Sequence, residues 1–172
     1  MRRTAELGLM LALALILSYV ESMIPFSFGI PGIKLGLPNL IVLLLLYEKP
    51  NTGGEREALL VNVLRIVLSG FLFSNLYTIL YALAGAAFSF AAMALGRRTK
   101  RFSMIGVSVF GGVFHNVGQL LVAMAVVETL AVAYYVPFLI VAGTVTGAVL
   151  GIAGTTLLPY LRRLEEEREQ RK

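Results

Sequence analysis

Long apolar runs alternate with short polar or glycine–proline breaks along this chain, and the alternation predicts six helices. The first run, Leu7 to Val20, ends near Ile24 and Pro25. It starts with Arg2 and Arg3 like a signal peptide, but no small-residue cleavage site follows, so it is expected to stay as helix 1. The next stretch, FSFGIPGIKLGLPN (26–39), holds three glycines and two prolines and is too broken for a helix interior. It reads as a structured loop or re-entrant lid, followed by a short helix 2 from Pro38 to Tyr47. A polar turn, EKPNTGGERE (48–57), precedes helix 3, Ala58 to Phe73. Ser74 and Asn75 turn the chain into helix 4, Leu76 to Leu95. Helix 5 covers Phe102 to about Val127, and helix 6 covers Tyr134 to Leu158. The sequence predicts an all-α membrane protein, a bundle of six transmembrane helices. Its single domain would be 1–161, with 162–172 a charged cytoplasmic tail that continues as a solvated helical end.

Helix 5 departs most from a plain apolar span. At helical spacing Ser108, Gly111, Gly112, His115, Gly118 and Gln119 share one face, and Phe110, Val113, Phe114, Val117 and Leu121 cover the other. Polar groups in a bilayer must face protein or a water-filled cavity, so helix 5 is expected to form a cavity wall. Helix 6 carries Gly143, Gly147, Gly151 and Gly154, a ridge suited to close helix contact.

Composition agrees with a membrane reading: 58% of the 172 residues are hydrophobic, only 15% are charged, and mean hydropathy is +0.81. The net charge of +5 could suggest nucleic acid, but its placement beside apolar spans argues for topology instead, and no nucleic acid is expected. Of 15 Lys and Arg, 13 fall on one side of a six-span arrangement. The exceptions are Lys34 in an outer loop and Arg65 inside helix 3. The positive-inside rule then puts both termini in the cytoplasm, in a bacterial-type cytoplasmic membrane. Cysteine is absent, the histidine is single, and all ten acidic residues are Glu, so no metal site or cofactor is expected.

Ionisable groups inside a span are default functional candidates. Arg65 shares a stripe with Asn62 and Ser69, and needs either a ligand anion or a structural partner such as Glu21. His115, Asn116 and Gln119 are candidate ligand contacts; a satisfied core histidine and an Asn116 bonded to a neighbouring helix are the plainer alternatives. Lys34 and Asn39 lie in or beside the lid, where ordinary turn chemistry is the competing account. The expected ligand-binding set is Glu21, Lys34, Asn39, Asn62, Arg65, His115, Asn116 and Gln119.

Four segments carry a family likeness: IPGIKLGLPNL (30–40), NVLRI (62–66), AGAAFSFAAM (84–93) and FSMIGVSVFGGVFHNVGQL (102–120). Together they resemble the Gx transporter family, often labelled heptaprenyl diphosphate synthase component I. That family is similar to the substrate-binding S components of energy-coupling-factor vitamin transporters. The resemblance implies a six-helix fold with an outward pocket, a first outer loop acting as lid, and a small-molecule ligand. It also implies a membrane coupling subunit with ATPases as a possible partner. S components typically meet that subunit through Ala-x-x-x-Ala on helix 1; here the nearest matches are Gly8-x-x-x-Ala12 and Ala14-x-x-x-Ser18. The synthase label implies a prenyl synthase partner, while the absence of aspartate argues against catalysis by this chain, since diphosphate–Mg²⁺ sites are built from carboxylate clusters.

Overall fold

The computed structural model describes residues 2–23, 36–48 and 54–170. Six α-helices account for almost all of them: α1 (Arg2–Met23), α2 (Asn39–Glu48), α3 (Glu55–Phe73), α4 (Leu76–Arg98), α5 (Met104–Val127) and α6 (Val136–Gln170). A 3-10 turn, Leu130–Tyr135, leads into α6. Two of the helix starts are capped by side chains. Asn75 accepts from the Thr78 amide at 2.9 Å to start α4, and Ser103 accepts from Gly106 at 3.2 Å to start α5. Glu55 and Glu57 extend α3 one turn earlier than the apolar run suggests, because acidic groups favour a helix N-terminus. Pro137 sits in the first turn of α6, where its missing N–H costs no bond. At the other end, α6 runs unbroken past Pro159 to Gln170, since Arg and Glu are good helix formers.

Among the described residues four segments are long and apolar enough to cross a membrane: Arg3–Met23, Leu76–Arg98, Met104–Val127 and Leu130–Leu164. The chain is therefore a multi-pass, all-α membrane protein. The ten residues of α2 rise only about 15 Å, half of a bilayer core. What α2 lacks in length it makes up in burial. Asn39, Ile41 to Leu46 and Glu48 are all buried, and only Leu40 and Tyr47 are half-buried. The other five helices run round it in the order α1, α3, α4, α5, α6, and α2 touches each of them. Among the described residues α1 and α6 do not meet, so the ring is open there.

The tightest seams are α4–α5 and α5–α6, and glycine makes both. A Cβ on Gly143 would stand 2.7 Å from the Gly112 carbonyl, and one on Gly147 the same distance from the Ser108 carbonyl. On the α4 side, a Cβ on Gly118 would stand 2.6 Å from the Ala84 carbonyl. Backbones this close leave room for no side chain. The small face of α5 is thus largely consumed by its two neighbours rather than lining open space.

At the basic end, charged side chains tie the helices together. Arg3 bonds to Glu6 and Glu48, each at 3.2 Å, and also to Glu57. Arg162 of α6 donates to the Tyr47 carbonyl at 2.7 Å, and Arg97 lies over the Tyr47 ring. Arg98 holds Glu55 at 2.5 and 3.0 Å, which keeps the Glu55 carboxyl below its usual range.

Candidate functional site

The polar interior is assembled where α2 begins. Glu21, near the end of α1, accepts from the backbone amides of Gly36 and, at 3.1 Å, Leu37. These N–H groups lie just ahead of α2, and the carboxylate provides the acceptor that a helix start lacks. Gly36 has φ of 83°, in the left-handed region that suits glycine. A Cβ on it would stand 2.9 Å from Asn39 Nδ2 and 3.4 Å from the His115 ring. His115 presents its Cδ2–Nε2 edge to Gly36. The opposite edge meets Gly85 of α4, where a Cβ would stand 2.9 Å from Cε1, from Nδ1 and from Gln119 Cγ. The histidine is therefore held between two glycines, one on the chain entering α2 and one on α4. Both His115 and Gln119 are buried.

Asn39 opens α2 with a buried amide group whose Nδ2 and Oδ1 both lack a hydrogen-bond partner among the described residues. Ser89 Oγ, wholly buried in α4, is in the same state. Arg65 is the sharper case. It lies about 15 Å along α3 from Glu55, buried, and donates to Asn62 Oδ1 at 2.6 Å. Its Nε has no partner, and among the described residues no carboxylate oxygen lies within salt-bridge distance of it. Glu21 supplies the nearby negative charge that Arg65 feels. Of the two alternatives for Arg65, a Glu21–Arg65 contact pair is not formed: the carboxylate is bound to the loop amides instead.

The expected ligand-binding residues separate into groups. Glu21, Asn39, His115 and Gln119 come together around Gly36 and Gly85, and Asn62 and Arg65 form a second pair within the electrostatic reach of Glu21. Asn116 points elsewhere, donating to the Leu139 carbonyl of α6 at 2.8 Å as a helix–helix tie. Ser108 belongs to the α5–α6 seam, and Ser69 bonds back to the Ile66 carbonyl, so the two polar stripes share less than their spacing suggests. Lys34 lies outside the described residues, as does the 24–35 part of the expected lid. Sequence reading missed Gly36 and Gly85 as the walls of His115, and missed the unmet hydroxyl of Ser89.

A buried cation with one amide partner, an unmatched amide at a helix start and a histidine between glycines define a class: a multi-pass membrane protein with a polar interior. The chain belongs to the heptaprenyl diphosphate synthase component I family, whose model matches residues 10–157. Comparison with curated proteins and with solved structures finds no match to either.

Proposed function

We propose that this chain binds and takes up a small anionic or polar molecule across a cytoplasmic membrane, in the manner of an S component, and performs no catalysis itself. Arg65 carries this reading. An arginine buried in apolar surroundings is costly unless its donors are met, and Asn62 meets only part of that need. A ligand carboxylate or phosphate would complete the set with charge-assisted hydrogen bonds. Asn39, His115 and Gln119 would add polar contacts, and Lys34 is a further candidate for the anion. On this reading all six helices belong to the membrane bundle and both termini are cytoplasmic. The outward face of α1, with Leu9, Leu13 and Ile16 exposed and open space at Gly8, would meet a coupling subunit with ATPases. Native mass spectrometry of gently purified protein should show a retained small anion that is lost in Arg65→Gln. If the wild type retains none, and no anion in a metabolite panel raises its melting temperature, the reading fails.

A second reading rests on the family description. The chain would be a non-catalytic membrane partner of a prenyl diphosphate synthase. Co-purification of a soluble synthase would favour it. In either case the purified chain should show no Mg²⁺-dependent prenyl elongation, because it has no aspartate from which to build the usual diphosphate site. Elongation that survives removal of contaminating synthase would overturn that expectation.

A further inference from the structure

Between α4 and α5, on the outer surface of the bundle, lies an apolar trough of about 550 Å³. Its floor is small: Ala87 and Ala91 of α4 leave a gap that Phe88, Phe110 and Phe114 flank. Thr99 and the exposed Phe102, whose ring packs edge-on against Phe110 at 4.8 Å, close one end. That end is the turn carrying Arg97, Arg98, Lys100 and Arg101. Two of these cations are engaged, Arg97 over Tyr47 and Arg98 with Glu55. The side chains of Lys100 and Arg101 are exposed and, among the described residues, have no partner.

We propose that the trough binds one acyl chain of an anionic phospholipid, with the lipid phosphate held by Lys100 and Arg101. This rests on the membrane fold alone and not on the transport reading. From Thr99 to Phe88 the trough follows α4 for about 16 Å, close to one leaflet of a ~30 Å hydrocarbon core. Its length and its charged end therefore match a lipid whose chain descends from a phosphate at the interface. The unengaged cations select against a zwitterionic headgroup, since each basic residue at a membrane surface attracts anionic lipid.

The chain has no tryptophan, so a single introduced one reports its own surroundings. Phe114→Trp places the reporter in the trough; Val149→Trp places a control on the exposed face of α6. Both proteins are reconstituted in vesicles containing dibrominated phosphatidylglycerol or dibrominated phosphatidylcholine, and fluorescence quenching gives relative lipid affinities. The expected result is a preference for phosphatidylglycerol of about fivefold to thirtyfold at Phe114→Trp and little or none at Val149→Trp. Adding Lys100→Asn and Arg101→Gln should remove the preference. If that variant fails to insert, about 0.5 M salt should remove it from the Phe114→Trp protein instead. Equal preference at both reporters, or a preference that survives loss or screening of the charges, overturns the proposal. So does displacement of the brominated lipid by a short prenyl diphosphate at equimolar concentration, which would assign the trough to a prenyl chain.

Discussion

Arg65 and Glu21 sit close enough to influence each other, yet they serve different partners. If Arg65 binds a ligand anion, Arg65→Gln should weaken binding by about 1.5–3 kcal/mol, the scale of a charged hydrogen bond, while the protein still folds. Isothermal titration with the retained ligand measures the loss, and thermal melting checks the fold. Glu21→Gln removes a charged acceptor from the Gly36 and Leu37 amides and should lower stability by about 1.5–3 kcal/mol. It should not rescue Arg65→Gln. A double variant more stable than either single one would show that the two act as a pair after all. The sequence marked His115, Gln119, Asn39 and Arg65 because polar groups inside apolar runs are conspicuous one residue at a time. Gly85 gave no such signal. Its role is to lie beside a ring on another helix, and nothing within its own helix reports that. Asn116 was conspicuous for the same reason as His115, and the geometry shows its amide bonded to α6.

Among whole elements, apolar runs located all six helices, and errors gathered at the ends, where capping and propensity rather than hydropathy decide. Acidic residues drew α3 back to Glu55, whereas the charged tail continues α6 to Gln170 as the solvated helical end the sequence suggests. Helix 5 was expected to line a cavity because small and polar residues share its face. Glycine spacing cannot distinguish a ligand from a neighbouring backbone, and here α4 and α6 take most of the space. Gly147→Ala should therefore destabilise by at least about 1–3 kcal/mol, because its Cβ meets backbone that has no rotamer to change. Gly8→Ala, whose Cβ meets nothing within 4 Å, should be neutral or slightly stabilising through helix propensity. Denaturation in mild detergent compares the two. The α3–α4 tie between Glu55 and Arg98 should show in acid. Its folded carboxyl titrates below the ordinary range, so its contribution is present above that range and disappears as pH falls through the folded value. The melting-temperature gap between wild type and Glu55→Gln should be small at pH 7, as for any exposed pair, and should close below about pH 4.

For the molecule as a whole, the basic residues predict which side each turn faces. Reporter tags at 53 and 99 should read cytoplasm, and tags at 75 and 129 should read the outside. The reverse pattern would count against the outward-facing pocket that the proposed uptake needs. Fold class was legible because twenty-residue apolar runs admit few alternatives. The hub position of α2 was not, since ten apolar residues read alike whether they half-cross a membrane or fill a protein core. Its last turn has a wider consequence. Arg3 at the start of α1 grips Glu48, and Arg162 late in α6 grips the carbonyl of Tyr47 next to it. The first and last helices, which do not pack directly on each other among the described residues, are thus moored to neighbouring residues. A linker from the end of α6 back to α1, with new ends opened in the 99–102 turn, would keep every helix in its present direction. Such a circular permutant should insert and fold, and the order in which the ribosome delivers these helices would then be a matter of history rather than necessity.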